Sequence, residues 1–240
     1  VTGIYPLLYF DMNWAVPAFI VLDHYTAYGL EQDENSSIGA GGTLNPDNGK
    51  IQAFWTGEYQ IAARANSVIY GAKDAVAGMS DAARQYYAEA RVLRAYAYYN
   101  LISAFGDVPF FTAPVTIDEY KVGRTPKGEI IDFLIKDLND AADYLPWTAT
   151  QRGRVDKAVA YGLIARMGLF GGSFNVENKA TEYFRIAADA ANKVIGKRKL
   201  APKFSDLFNL TGQAKSEVRD ELLWELMYST NAVSYTHLRA

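Results

Sequence analysis

The chain has 240 residues, of which 50% are hydrophobic and 21% charged, and its 24 basic and 27 acidic side chains give a formal charge of −3. This balance excludes a disordered chain, which would be poorer in apolar residues, and a strongly basic nucleic-acid-binding protein. The sequence contains no cysteine, so disulfides, thiolate metal sites and cysteine nucleophiles are excluded as well. No segment is apolar for long enough to span a bilayer.

Apolar residues at helical spacing predict a series of helices. Residues 4–22 indicate a helix bent by Pro17, and residues 29–50 form a polar, glycine-rich loop. Further helices are predicted over about 51–77, 80–105, 126–145, 156–170 and 179–195. After residue 200 the pattern weakens, and the apolar run from Leu222 to Tyr228 suggests a short strand, although such a run is ambiguous.

Capping signals mark the ends of these predicted helices. Ser80 is the expected N-cap of the helix over 80–105, and Gly106 is its expected stop. Thr125 is the expected cap of the next helix, with Pro126 at the first helical position. The pair Gly171-Gly172 is expected to end the helix that starts near residue 156. Alanine at many packing positions favours closely approaching helices, as in helical hairpin repeats.

One segment points to a family. The sequence E-A-R-V-L-R-A-Y at 89–96, followed by F-G-D-V-P at 105–109, closely resembles the signature of the SusD/RagB family of bacterial nutrient-binding lipoproteins. Other segments follow in that family's order, and together they cover about 50–228. These segments include Trp55 with Tyr59, Ile61, Ala65 and Asn66; Arg124-Thr125-Pro126; Ile135-Lys136-Asp137-Leu138; Gly153-Arg154-Val155; Leu207-Phe208; and Glu221 to Glu225.

The resemblance implies an all-α (mainly α) fold, a tetratricopeptide-like helical hairpin scaffold with long loops and at most a few short strands. It also implies a protein that is not an enzyme and faces outward on the outer membrane of Bacteroidetes, held there by a lipidated cysteine. Such proteins bind glycans, or sometimes peptides, and cap a SusC-like TonB-dependent transporter. We expect no cofactor and no nucleic-acid partner. The sequence specifies no metal site, although its scattered acids are compatible with calcium.

The resemblance also suggests how the chain is organised. The family's lipid-bearing cysteine is absent and family chains are longer, so we interpret residues 1–232 as a SusD-like helical domain that is incomplete at both ends. Residues 233–240 do not continue the family pattern. We interpret them as a non-native tail, which gives His237 no functional weight.

Charged residues on the predicted helices have two readings. Arg91 and Arg94 lie one turn apart and are either anion ligands or scaffold residues paired with acids, and we favour the second reading because the motif lies within a packing stripe. The turn Gly106 to Pro109 is either a binding turn or a structural one, and we favour the second because a helix stop and a turn set by Asp107 and Pro109 account for it. The acids Asp132, Asp137, Asp140 and Asp143 are either a hydrolytic carboxylate pair or a solvated helix face, and we favour the solvated face.

Sugars bind proteins by stacking on aromatic rings while polar side chains take the hydroxyl groups. The chain has 17 tyrosines, but those at helical spacing (Tyr86, Tyr87, Tyr96, Tyr98 and Tyr99) are expected in the core. We therefore predict a ligand site at the polar loop. Its candidate residues are Asp23, Tyr25, Tyr28, Asn45, Asp47 and Asn48, with His24 beside them. Two rival functions remain: a helical-repeat adaptor that binds other proteins through a groove and, less favoured, an all-helical glycosidase.

Overall fold

The structure is a computed structural model that describes residues 1–8, 47, 49–116, 119, 121–213 and 215–226. Helices dominate these residues, and apart from isolated bridges they contain no strand, which confirms the mainly α prediction. The helices are α1 (Gly49–Ala72), α2 (Asp81–Phe105), α3 (Lys127–Ala142), α4 (Lys157–Ser173), α5 (Ala180–Val194), α6 (Leu210–Gln213) and α7 (Ser216–Glu221). Short 3-10 turns occupy Val76–Gly78, Val176–Asn178 and Phe204–Phe208.

The five long helices pack in chain order. Helix α1 lies against α2, α2 against α3, α3 against α4 and α4 against α5, and α2 also contacts α4. Each helix thus buries its apolar face mainly on its sequence neighbours, as helical hairpin arrays do. One continuous hydrophobic core results, with Leu93, Ala97 and Leu101 of α2 fully buried in it.

Helix α2 begins and ends where the sequence predicts. The backbone N–H of Ala83 donates to the Ser80 hydroxyl over 3.3 Å, so Ser80 is the N-cap. At the other end Gly106 has φ +72°, and its N–H donates to the carbonyl of Ile102 over 3.1 Å. A positive φ favours glycine, which explains why the helix ends at this residue.

The predicted cap of α3 is wrong. Pro126 occupies the cap position in place of Thr125, and the carboxylate of Asp107 accepts a hydrogen bond from the N–H of Lys127 over 2.9 Å. The N–H of Thr125 instead donates to the carbonyl of Val108 over 2.9 Å. The G-D-V-P turn therefore ties the end of α2 to the start of α3, which confirms its structural reading.

The prediction that Gly171-Gly172 ends α4 is also wrong, since the helix continues to Ser173. These glycines let α5 approach closely. A Cβ on Gly171 would lie 2.8 Å from the Tyr183 ring, and one on Gly172 would lie 2.6 Å from the Phe184 ring. A Cβ on Gly168 would lie 2.7 Å from the carbonyl oxygen of Tyr183. Because these three glycines have no side chain, α5 packs directly against the backbone of α4.

We expect Gly168→Ala to destabilise the fold by about 1–3 kcal/mol, because the added methyl group meets backbone atoms that do not move freely. Gly57→Ala is the matched control, since Gly57 lies inside α1 with open space around it. Alanine there is expected to stabilise the helix by about 0.5–1 kcal/mol. Urea denaturation followed by circular dichroism measures both. Changes of the same sign would contradict close packing at Gly168.

The predictions for the two ends of the chain can be compared with the structure only in part. Residues 5–8 are helical, but the rest of the predicted helix over 4–22 and most of the loop over 29–50 lie outside the described residues. Residues 222–226 form no strand, and residues 227–228 are not among those described. The interpreted boundary at residue 233 lies outside them too. No helix within the described ranges combines the length and apolar character needed to cross a bilayer.

Candidate functional site

Nearly all of the predicted ligand residues lie outside the part of the chain that the structure describes. These are Asp23, His24, Tyr25, Tyr28, Asn45 and Asn48. Asp47 is described, and it is exposed just before the start of α1. The grouping of these side chains into one site therefore stays a prediction.

The described residues do form an open cleft of about 280 Å³. One wall is the loop 148–156 between α3 and α4, and the other is the segment 216–225, with Arg198 between them. The sequence analysis did not single out this cleft, because its walls lie far apart along the chain.

Trp224 contributes an aromatic surface to the cleft, and two contacts hold its ring. The indole Nε1–H donates to the carbonyl of Gly153 over 2.9 Å. The ring meets that of Tyr96 edge-on, with 5.2 Å between centroids and an interplanar angle of 90°. The position of the indole therefore depends on the loop 148–156 and on helix α2.

The cleft's charged groups are engaged with one another. Arg152 donates two hydrogen bonds of 2.5 and 3.0 Å to Glu225, and this carboxylate raises the pKa of Arg152 above its usual range. Arg198 binds Asp156, whose other oxygen accepts from the N–H of Val159 over 3.1 Å and so caps α4. Burial raises the pKa of Asp156 above its usual range, although that hydrogen bond and Arg198 act in the opposite direction.

Arg91 and Arg94 are scaffold residues, as the sequence favoured. Arg91 Nε donates to one oxygen of Asp137 over 2.8 Å, and Arg94 Nη2 donates to the other over 2.8 Å. Arg94 also donates to the side chain of Asn66 over 3.0 Å and to the carbonyl of Thr112 over 3.3 Å. These bonds join α1, α2, α3 and the connector after α2. The two guanidinium groups are used inside the protein and do not form an open anion site.

The reading of the four acids as a solvated helix face is wrong for Asp137, which is only 8% exposed. Asp140 and Asp143 are exposed, as expected. Asp132 is exposed as a residue but accepts hydrogen bonds of 2.9 Å from Lys179 and 2.8 Å from the Tyr183 hydroxyl. Asp132 and Asp137 thus hold neighbouring elements, whereas Asp140 and Asp143 face solvent.

Another buried carboxylate, Glu89, was missed by the sequence analysis as a separate feature. It is fully buried, and it accepts hydrogen bonds of 2.6 and 3.1 Å from Arg154 and one of 2.8 Å from the Tyr5 hydroxyl. The Tyr5 oxygen in turn accepts from the N–H of Val155 over 3.1 Å. Burial, with the charge of Glu89 adding to it, raises the pKa of the Tyr5 hydroxyl. An acid inside an apolar helical stripe is the signal that would have found this group.

The tyrosines of α2 divide between core and surface. Tyr98 is fully buried, and burial raises the pKa of Tyr98 to about 12. Tyr87, Tyr96 and Tyr99 are half-buried, whereas Tyr86 is 47% exposed, so the core prediction is wrong for Tyr86.

Within the described ranges, no three His, Asp or Glu side chains are grouped closely enough to hold a metal ion.

Comparison with known proteins gives a consistent match. A model of SusD-like proteins, described as "Starch-binding associating with outer membrane", matches residues 2–169. SusD-like protein P2 of Formosa agariphila is 32% identical over 171 residues, which make up 70% of this chain and 32% of that protein. Starch-binding protein SusD of Bacteroides thetaiotaomicron is 31% identical over 157 residues, 62% of this chain and 26% of that protein. The chain thus matches about a third or less of each relative's length.

Solved structures share the fold. A laminarin-binding SusD-like protein is 25% identical with a TM-score of 0.56, and the match covers 82% of this chain and 43% of that one. A crystal structure with a xylogluco-oligosaccharide has a TM-score of 0.68 and covers 94% of this chain and 45% of that one, at 21% identity. At that identity the likeness concerns the fold alone.

Proposed function

The chain belongs to the SusD-like family of starch-binding proteins that associate with the outer membrane, and from this premise we propose that it is the glycan-binding component of a SusC/SusD-type nutrient uptake system. In this role it is non-catalytic, it captures oligosaccharides at the cell surface, and it passes them to a TonB-dependent outer-membrane transporter. A lipid anchor holds the family-length protein outward-facing on the outer membrane. The observation that carries the proposal is the family match over residues 2–169.

The scaffold's contacts are compatible with capture by loops. The cluster of Arg91, Arg94 and Asp137 is buried and internally paired, and it ties α2 to α3. The hydrogen bond from Arg94 to Asn66 extends this connection to α1. A rigid frame of this kind leaves recognition to the polar segments that it displays. The predicted ligand residues at the polar loop, Tyr28 among them, supply the ring surface and the hydrogen-bonding groups that sugars need.

A hydrolytic role is less well supported. Glycoside hydrolysis needs two carboxyl groups that flank the scissile bond, one of them available as an acid. In the described cleft, Asp156 caps α4 and binds Arg198, while Glu225 is held by Arg152 through two hydrogen bonds. Asp220 accepts a hydrogen bond of 2.9 Å from the backbone of Lys199. Each carboxylate therefore has a structural partner that competes with such a task.

Binding and hydrolysis are tested together with the purified chain and three glycans: starch, xyloglucan oligosaccharides and laminarin. Affinity electrophoresis and calorimetry report binding, and a reducing-sugar assay reports hydrolysis. We expect binding to at least one glycan without release of sugar. A folded chain that binds none of them would contradict the proposal, and sugar release would favour the glycosidase. The transporter partner is tested separately, by asking whether a SusC-like TonB-dependent transporter co-purifies with a family-length version.

Within this proposal, Tyr28→Ala in a family-length version is expected to weaken glycan affinity about tenfold, the loss of roughly one stacking contact. The melting temperature is expected to stay the same, because the predicted role of Tyr28 is to meet ligand. Tyr70→Ala is the matched control, since Tyr70 is an exposed tyrosine near the C-terminal end of α1. Equal affinity of the Tyr28 variant and the unaltered protein would remove Tyr28 from the site.

A further inference from the structure

Three lysines lie beside two aromatic rings where α4, α5 and the connector between α3 and α4 meet. The rings belong to Trp147 of the connector and Tyr161 of α4, and their centroids are 6.0 Å apart. The ammonium nitrogens of Lys157 and Lys197 lie 5.7 and 5.6 Å from the centroid of the Trp147 ring. The ammonium nitrogen of Lys193 lies 4.4 Å from the centroid of the Tyr161 ring. We call these five residues the lysine patch.

The positive charges of the lysine patch have no carboxylate partner. None of its three lysines forms an ion pair with an acid among the described residues, in contrast to Lys179 and Lys215 elsewhere in the chain. An aromatic ring attracts a cation through its quadrupole but leaves the positive charge in place. Lys193 and Lys197 are exposed. In a chain with a net charge of −3, the patch is therefore a local site that attracts anions.

The backbone fixes the positions of the three lysines, and helix stability accounts for only one of them. Lys193 lies in the last turn of α5, where the helix dipole favours a cation. Lys157 is the first residue of α4, at the end where the dipole disfavours a cation. Lys197 follows a turn at Gly196, which has φ +82°, and its N–H donates to the carbonyl of Val194 over 2.9 Å. Two of the lysines thus stand beside Trp147 without a benefit to their helices.

Trp147 adds a neutral hydrogen-bond donor to these cations. The indole N–H of Trp224 is bound to the carbonyl of Gly153, whereas that of Trp147 has no partner in the described part of the chain. An ammonium group and an indole N–H donate hydrogen bonds and accept none. Carboxylate and sulfate groups accept hydrogen bonds and carry the opposite charge, and sugar hydroxyl groups accept as well. The donors of the patch therefore match a sugar that carries an acidic group.

We propose that the lysine patch binds an acidic polysaccharide, one whose sugars carry carboxylate or sulfate groups. The lysines bind the anionic groups, and the indole N–H of Trp147 donates to an oxygen beside them. No residue of the patch belongs to the polar loop, so this is a second contact with glycan in addition to the predicted ligand site. The choice of a glycan among anionic ligands rests on the proposed function, whereas the attraction of anions rests on the contacts of the patch.

Calorimetry of the 240-residue chain with alginate and carrageenan oligosaccharides tests the proposal, and the two ligands distinguish carboxylate from sulfate. We expect binding to at least one of them, and we expect the affinity to fall as sodium chloride is added. Lys193→Gln combined with Lys197→Gln is expected to weaken this affinity at least about fivefold. Lys73→Gln combined with Lys127→Gln is the matched control, because it removes the same charge from two lysines that also lie on aromatic rings. The control is expected to leave the affinity unchanged.

Nuclear magnetic resonance locates the bound ligand. The indole N–H signal that is absent from Trp147→Phe identifies Trp147, and in the unaltered chain we expect this signal to shift when the acidic oligosaccharide is added. A ligand that binds without shifting this signal would overturn the proposal, since it would occupy another surface.

Three further outcomes would contradict the lysine patch as a site for acidic glycans. These are binding to neither oligosaccharide, equal losses of affinity in the two double variants, and an equal affinity for poly-glutamate or for phosphatidylglycerol vesicles, which contain no sugar chain. Laminarin, a neutral glycan, is titrated in the same series and reports on the proposed function alone. Failure of the patch is therefore distinguishable from failure of the proposed function.

Discussion

Replacing Asp137 by alanine is expected to destabilise the fold by about 3–5 kcal/mol, the largest effect of any single change to α3. The carboxylate bridges two guanidinium groups, with Arg91 10% and Arg94 3% exposed at their side chains. Without it, two positive charges stay buried close together and lose their charge-assisted hydrogen bonds. Among the described residues the Nε of Arg94 has no hydrogen-bond partner, and the other bonds of this arginine go to neutral oxygens of Asn66 and Thr112. Chemical denaturation measures the loss.

Asp140→Ala is the matched control for Asp137→Ala. It removes a carboxylate from the same helix, but this group is 59% exposed and lies 3.6 Å from Arg91. The expected change is within about 0.5 kcal/mol. Asp137→Asn should fall between the two, because the amide keeps a hydrogen-bond acceptor but loses the charge. If Asp137→Ala and Asp140→Ala proved equally mild, the cluster would not stabilise the fold.

Glu89→Ala is expected to cost about 3–5 kcal/mol and to release the N-terminal segment from the scaffold. Glu89 holds Arg154 in the loop before α4, and it holds Tyr5 in the segment before α1. Its loss leaves the Arg154 guanidinium, which is 11% exposed, without a carboxylate. Limited proteolysis of residues 1–8, together with the denaturation midpoint, measures both consequences.

Tyr5→Phe separates the two roles of Glu89, which are to hold Tyr5 and to hold Arg154. It keeps the ring and removes the hydroxyl, so we expect faster cleavage in residues 1–8 with a smaller stability loss of about 1–2 kcal/mol. Glu182→Ala, at an exposed glutamate on α5, should change neither quantity. An N-terminal segment that stays protected in Glu89→Ala would show that other contacts hold it.

Helical periodicity is local, and it predicted the long helices well. Ser80 and Gly106 mark the ends of α2 because a cap acts within one turn of its own helix. The prediction for the start of α3 fails for the opposite reason, since the side chain that accepts from the first N–H of the helix is Asp107, which lies on the preceding turn. Spacing alone predicts a stop at the pair Gly171-Gly172, because it does not reveal that α5 packs directly on these glycines.

The same distinction applies to the charged residues. Pairing of Arg91 and Arg94 inside the scaffold was predictable because both lie within the buried stripe of α2. Asp137 was predictable in principle as well, since it lies three residues after Leu134 and four before Ala141, both fully buried. The cleft was not predictable, because its walls meet only through the fold. The loop that carries the predicted ligand residues has no periodic pattern from which its structure follows.

The burial of the arginine–aspartate cluster has a consequence for how the protein responds to salt. Dissolved ions weaken an ion pair by gathering around it, and they gather poorly around groups that solvent does not reach. The pair between Arg94 and Asp137 is shielded in this way, whereas Arg152 and Glu225 at the cleft are 41% and 26% exposed. Rising ionic strength therefore weakens the ion pair at the rim of the cleft but not the one inside the helical frame. The packing of the helices is expected to be the same at high and at low salt concentration.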